Sequence, residues 1–592
     1  MTAEHTGPVR AVSRTISGTV SRIERAINGV LLPGFEGVRV PDWLADAARA
    51  GLAGVVYFAR NTPDVATTAA LSAALHSVSP DLLITVDEEG GDVSRLEAAT
   101  GSSLPGAAAL GAYPGGGTVS LDAGRALGRL LAATGIDLLL GPVLDVVSEP
   151  DNPVIGVRAF GTTPDAVARH GIAFARGVRS AGVGVCGKHF PGHGATTVDS
   201  HVGLPVVDEP LDVVRARDLL PFARALRPEG RDVGQSALDA VMTAHVLFPA
   251  LGPAPASIEP AATRLLRELG HTGPIITDAL DMGALRQLTG SVGEAAVRAV
   301  EAGADLLCLG LDPALYTQSY DALSRAVAAG RLTVERLEES GERTRELVAA
   351  LRDRRAAAGA ATGVHAAQEA LADLSVLGAH IADAVVHVRG GRLVPLAPDA
   401  EPDVVDLRTR LDHAAGRTAR HVQSAVAAVW PGARLLRGPS PGEAAGEEVS
   451  GPGSAELLHD ESGLAVLIAR ISRYGVSADL DRTGVKRGAE FPGGVPRDAP
   501  RSEPLVVITR EPVLGSVERA RLERLWAVRP DLVVVHTGLP GPVDDWFGTL
   551  SGGGPAVVVA CGTGRANAAA AVERLRGPVD RRDSEEQRSS EQ

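Results

Sequence analysis

RLLRELGHTGPIITDALDM, residues 264–282, passes from a segment of helical period through the glycine of HTGP into a short apolar run and ends on aspartates. Glycine takes a positive φ without a Cβ penalty, so it ends a helix and turns the chain back into a sheet at little cost. The same punctuation recurs at TGID, AGVG and AGAD. Working outward in both directions, eight short runs alternate with helical stretches: VLLPGF (30–35), GVVYFA (54–59), LLITVD (82–87), DLLLGPVLD (137–145), VGVCGKHF (183–190), AVMTAHV (240–246), PIITDA (274–279) and DLLCLGL (305–311). Eight βα units over this length predict an α/β fold, a (β/α)8 TIM barrel. Such a barrel keeps its chemistry at the strand C-termini. Asp87, Lys188 with His189, His245 and Asp278 all close otherwise apolar runs there.

After the eighth run come two helical stretches and the Ala/Gly-rich RRAAAGAATGVHAAQEA (354–370). The βα rhythm then resumes with AVVHVR (384–389), DVVDLR (403–408), LAVLIAR (464–470), PLVVITR (504–510), DLVVVHTG (531–538) and AVVVACG (556–562). The division expected is an N-terminal helical extension (1–28), a barrel (29–355), a linker (356–375), a second α/β domain (376–578) and a charged tail (579–592) that does not fold. RGPSPGEAAGEEVSGPGSAE (437–456) reads as a flexible insert in the second domain.

The 592 residues carry 72 acidic and 58 basic side chains, a formal net charge of −14, and no basic run interleaved with aromatics. This argues against a nucleic-acid partner. No apolar run approaches the ~20 residues of a membrane span. The N-terminus lacks the apolar core of a secretion signal, so no membrane partner and a cytoplasmic location are expected. Cys186, Cys308 and Cys561 are widely spaced and odd in number, which predicts buried thiols rather than a zinc or redox centre. No metal and no cofactor are expected.

The densest chemical signal is KHFPGHGATTVDSHVGLP (188–205), where three histidines, a lysine and an aspartate fall within fourteen residues. The loop it opens, from Pro191 to about Asp208, is long against the usual ~2–6 residues of a βα loop, which points to function. Asp199 and His201 are spaced for a carboxylate to lie beside an imidazole, an arrangement that can donate and then accept a proton near neutrality. Lys188 and His189 leave a regular strand on opposite faces, so both reach one ligand only if the strand bends, and Pro191 and Gly192 favour a bend. Lysine occurs only at 188 and 486. Asp281, three residues beyond Asp278, reads as a helix-capping acid. In ITVDEEGGDVSRL (84–96), Asp87 ends a strand, Gly90 and Gly91 turn, and Arg95 folds back.

Taken in order, VDEEGG…SRL, NPVIGVRAFG (152–161), KHFPGHG…DSH and TDALDM resemble the bacterial β-N-acetylglucosaminidases of glycoside hydrolase family 3. The resemblance spans roughly residues 29–350, and the remainder looks like the α/β sandwich that two-domain members append. It implies Asp278 as nucleophile and His201 with Asp199 as acid/base. It also implies Asp87, Arg95, Arg158, Lys188 and His189 as the residues holding a small carbohydrate substrate, the roles of Arg95 and Arg158 resting on the resemblance alone. Two positions depart from the pattern: Asp92, where relatives commonly carry arginine, and Ala195, where an aspartate usually follows PGHG. Asp92 is expected to add negative charge near the sugar.

The implied reaction is removal of terminal N-acetylglucosamine with retention, through a covalent glycosyl-enzyme. The natural substrate is left open between muropeptide-derived and chitin-derived oligosaccharides. A β-N-acetylglucosaminide phosphorylase stays open beside it, because a histidine acid/base repels an anionic acceptor less than a glutamate does. A metal-dependent barrel hydrolase would need His189, His193, His245 and Asp278, but no strand carries an H-x-H pair. A sugar-binding protein without catalysis is disfavoured by the presence of both nucleophile and dyad.

Overall fold

The computed structural model describes residues 20–200, 203–227, 236–408, 420–437, 503–550 and 554–577. Each of the eight apolar runs forms a strand: β1 (Leu31–Pro33), β2 (Gly54–Tyr57), β3 (Leu83–Val86), β4 (Leu138–Leu139), β5 (Gly184–Phe190), β6 (Ala240–Thr243), β7 (Ile275–Thr277) and β8 (Leu307–Leu309). Strands β2 to β7 pair in parallel in chain order, and β1 pairs with β8. Bridges at Gly34–Val56 and Ile276–Leu306 join the two pieces, so the order returns to its start.

Successive side chains alternate between two apolar clusters, as a pleated strand requires. Leu32, Val56, Leu83, Leu138, Cys186, Met242, Ile276 and Cys308, one from each strand or the residue beside it, share one cluster. Their neighbours Leu31, Val55, Ile84, Val185 and Ile275 face the surrounding helices in another. A single cluster fed by all eight strands means that the parallel sheet curls round on itself.

One end of this sheet is closed by charge as well as by packing. Asp137, Asp239 and Asp305, at the approaches to β4, β6 and β8, accept the backbone N–H groups of Ile84, Val185 and Ile275 at 2.9, 3.1 and 3.0 Å. Arg355, Arg354 and Arg343 from the helix Val334–Ala358 pair with the same three carboxylates at 3.2, 2.7 and 2.9 Å. Leu347, Val348 and Leu351 of that helix join the interior cluster. Ligands of parallel sheets bind at the strand carboxyl ends, and that end stays open to loops.

The second unit is a six-stranded sheet of β9 (His387–Gly390), β10 (Asp403–Asp406), β11 (Arg434–Arg437), β12 (Leu505–Thr509), β13 (Val533–His536) and β14 (Ala556–Val559). Its order is β11-β10-β12-β13-β14-β9, parallel except for β9 at the edge. Residues 384–385 of the expected AVVHVR strand end a helix instead, and β11 has no counterpart among the expected strands. Only two leucines between arginines mark it in sequence. LAVLIAR (464–470), the insert beyond Arg437 and the tail 579–592 lie outside the described residues.

Residues 356–375, read above as a linker, are helical except around Gly359–Gly363. Their alanines favour helix, and only the two glycines interrupt it. In the helix Val364–Val385, Ala367, Leu374 and Ile381 pack on the first core, whereas Ala382 and Val385 pack on the second. Cys186, Cys308 and Cys561 are buried and free, as expected. Among the described residues no helix is long and apolar enough to cross a membrane.

Candidate active site

Lys188 reaches from β5 across the open end to the loop after β3. Its Nζ lies 2.6 Å from Asp87 Oδ1 and 2.7 Å from Glu89 Oε1. Arg158 grips the same Glu89 through Nε and Nη2, both at 2.9 Å, the two-point geometry that suits a guanidinium and a carboxylate. Arg95 lies 3.8 Å from Asp87, its turn held by Glu88, which accepts the Arg95 and Leu96 N–H groups at 2.8 Å each. Four of the five residues expected to hold a sugar are therefore joined, and Glu89 links two of them.

Burial alone would raise the Glu89 carboxyl, but Arg158 and Lys188 outweigh it and hold it below the usual range. Burial alone would lower Lys188, and Asp87 with Glu89 reverse that. Glu88 has no such cation, and burial pushes it up to about 7. Asp87 is the most open of the ion-paired group, its side chain 21% exposed against 3% for Lys188. Such a set can exchange hydrogen bonds with several hydroxyl groups while remaining internally neutralised.

His189 takes a different partner. Its Nδ1 donates to Asp145 Oδ2 at 2.7 Å, and Asp145 Oδ1 accepts the N–H groups of His189 and His193 at 3.2 and 2.8 Å. A carboxylate at Nδ1 orients the ring and leaves Nε2 for a ligand. Burial would raise Asp145, yet His189 beside it holds it low. The expected bend is present: the register with β6 slips between Gly187 and Phe190, and the Lys188–His189 and Phe190–Pro191 peptides are cis.

His193 bonds Thr196 Oγ1 through Nδ1 at 2.8 Å and Ser200 Oγ through Nε2 at 3.0 Å. Burial first, and then the charge of His189, lower it to about 4. The folded state thus keeps His193 neutral while the unfolded chain protonates it near 6.5, so acidification through this window favours unfolding by up to about 3 kcal/mol. Wild type should lose more stability between pH 6.5 and pH 4 than His193→Gln in thermal unfolding; parallel pH curves would contradict this.

Asn152 ties the NPVIGVR loop to this segment, its Nδ2 donating to the His193 and Thr196 carbonyls at 2.9 Å. Ser200 O in turn accepts the Ala284 N–H at 3.2 Å. The loop carrying Asp199 therefore stands beside the segment that follows β7 and Asp278. His201 lies outside the described residues.

Asp278 is half-buried, its N–H bonded to Thr243 O at 3.1 Å and its Oδ1 accepting the Ala279 N–H at 2.8 Å. Burial first, then the carboxylates of Asp278, Asp87 and Asp281, push the thiol of Cys308 well above its usual range. Both candidate carboxylates, from β3 and β7, thus act on one interior thiol of β8. Asp281 does not cap a helix: the helix Gly283–Thr289 has no side-chain cap, and Asp281 Oδ1 accepts the Gly310 N–H at 2.9 Å instead. His245 bonds Ser257 and Ala279 O through its two ring nitrogens. Among the described residues no three His, Cys, Asp or Glu side chains are grouped to hold a metal ion.

Residues 37–347 match the N-terminal domain of glycosyl hydrolase family 3. The chain belongs to that family. Its family 3 part is 36% identical over 293 residues to a β-hexosaminidase of Pseudomonas aeruginosa, covering 49% of this chain and 84% of that one. It is 34% identical over 330 residues to β-hexosaminidase A of Pseudoalteromonas piscicida, which covers 51% of this chain and only 54%, about half, of that relative. A solved family 3 β-N-acetylglucosaminidase from Paenibacillus sp. FPU-7 superposes with a TM-score of 0.69 at 28% identity, covering 94% of this chain and 96% of that one. The resemblance read from the motifs is thereby borne out.

Three residues of this candidate site escaped the reading of the sequence: Glu89, Asp145 and Asn152. Asp145 closes the fourth apolar run as Asp87 closes the third, so strand-end position was a usable signal. Glu89 carried none beyond its place in DEEGG, and Asn152 reads as an ordinary turn residue before proline.

Proposed function

We propose that this chain is a retaining β-N-acetylglucosaminidase, built as a (β/α)8 barrel over 29–355 and an α/β sandwich domain over 376–578. The observation that carries the proposal is the joined set Asp87–Lys188–Glu89–Arg158 at the strand ends, with Asp278 directly after β7 at the same end. Asp278 attacks the anomeric carbon as the leaving oxygen takes a proton from His201, oriented by Asp199. The same histidine then deprotonates water, which releases the sugar with its configuration retained. Asp87, Arg95, Arg158, Lys188 and His189 hold the terminal sugar so that little reorganisation is needed on the way to the transition state. The names borne by the similar proteins support the choice of an N-acetylated sugar. A cytoplasmic location, with muropeptide-derived disaccharides from cell-wall recycling as substrates, fits this reading.

The test is turnover by purified protein of the N-acetylglucosaminyl-anhydromuramyl disaccharide and of chitobiose, each with and without phosphate. Free N-acetylglucosamine in both conditions supports hydrolysis, and phosphate-dependent N-acetylglucosamine 1-phosphate would replace it with phosphorolysis. His201→Ala should slow substrates with poor leaving groups roughly 10²-fold and activated aryl glycosides far less. Equal losses on both would remove the acid role.

A further inference from the structure

Asp92 is expected from sequence to place a negative charge beside the sugar. The structure uses it otherwise. Asp92 is buried, its Oδ2 paired with the Arg510 guanidinium and its Oδ1 accepting the Thr563 N–H at 2.6 Å. Arg510 follows β12 and Thr563 follows β14, so both stand at the carboxyl ends of the second sheet, where such sheets take their ligands. Thr563 also directly precedes Gly564, which opens the helix Arg565–Arg576, and amides there favour an anion. Asp92, from the first unit, places its carboxylate at this end of the second sheet, against Arg510 and the Thr563 N–H.

The turn that bears Asp92 also bears the sugar site. Glu89 lies three residues before it, Arg95 three after, and Asp87 five before. Gly90 and Gly91 turn the chain between them at φ +79° and +59°. The Gly91 N–H bonds Leu104 O at 2.7 Å, and a Cβ at Gly91 would come within 2.5 Å of Gly106 Cα. On the other side, a Cβ at Gly564 would meet Gly91 O at 2.9 Å. The turn is thus wedged between residues 104–106 and the second unit. A second tie, Arg565 to Glu97 at 2.6 Å, fastens the residues just beyond it.

We infer that the second unit sets the shape of the first sugar subsite through Asp92, and that Asp92 and Arg510 are positioning residues for Asp87, Glu89 and Arg95. The inference rests on the sugar-binding role proposed above for that turn. Arg510 thereby supplies, from some 400 residues away in the chain, a cation to the turn.

The test uses the full chain with Asp92→Asn, Arg510→Gln, their combination, and Arg510→Lys. With an aryl β-N-acetylglucosaminide, each of the first two should raise KM about tenfold, the displacement of a binding group by a fraction of an ångström being enough. The combination should be no worse than the poorer single change, and Arg510→Lys should recover most of the loss. A fall in kcat at constant KM, in proportion to the folded fraction, is the mark of a merely structural tie and would overturn the inference. Hydrogen exchange at the bonded amides of Gly91, Arg95 and Leu96 reads the same positioning without turnover. Exchange roughly tenfold faster there in Asp92→Asn supports the inference, and unchanged exchange overturns it. Failure of the wild type on every glycoside tested would instead count against the proposed activity, and the exchange result would still decide the coupling.

Discussion

Asp278→Ala is expected to lower kcat on an aryl β-N-acetylglucosaminide roughly 10⁴-fold or more, since removing a nucleophile leaves only binding and the remaining polar groups to act. The loss should be chemical. The backbone bond from Asp278 N–H to Thr243 O does not depend on the side chain, and β7 keeps its pairing with β6. Unfolding midpoints of variant and wild type should therefore stay close. The assignment can be read directly with a slow fluorosugar, which should leave its glycosyl group on Asp278 of the wild type. Asp281 is the one rival within reach in sequence, but its carboxylate already accepts the Gly310 N–H. Labelling of Asp281, or of no residue, would remove Asp278 from its role.

Glu89→Ala is expected to be the most destabilising single change at the site, by about 3–5 kcal/mol. Its carboxylate accepts two bonds from Arg158 and pairs with Lys188, and all three side chains are at most 6% exposed. Truncation takes the paired carboxylate from a buried guanidinium, which keeps its Nη1 bond to Val154 O, and leaves Asp87 as the carboxylate beside Lys188. Glu89→Gln keeps an acceptor oxygen and should fall between wild type and Glu89→Ala. Denaturant unfolding measures the cost, and the KM of the surviving protein measures the effect on the sugar. A change below about 1 kcal/mol would mean that Arg158 and Lys188 find other partners, and that Glu89 is not what joins them.

These two residues mark what a linear reading reaches. Asp278 stands at the end of a short, continuous apolar run that follows the glycine of HTGP, and both signals are local. Position at the end of such a run also located Asp87, Lys188 and His189. Glu89 sits three residues past the end of β3, and nothing near it in the chain announces that Arg158 and Lys188 will close on it. The reading of Asp281 as a helix cap failed for a related reason. Its partner, the Gly310 N–H, comes from the next strand round the sheet, and a first-turn position alone does not show which amide a carboxylate will choose. Within the linker expected at 356–375 the chain is mostly helical, since alanine suits a packed helix at least as well as a loose connection.

By itself the sequence determined the eight strands, the βα order and most of the strand-end residues of the candidate site, because short apolar runs and glycine punctuation act over a few residues. Only the tertiary structure decided how charge is shared out: Glu89 between Arg158 and Lys188, Asp145 between His189 and His193, and Asp92 given to Arg510 and Thr563 of the second unit. Those partners lie between 44 and 471 positions apart in the chain. A buried charge must find an opposite one or a donor, but it does so across whatever the fold brings near, and that proximity is a property of the packed sheets and not of any stretch of residues.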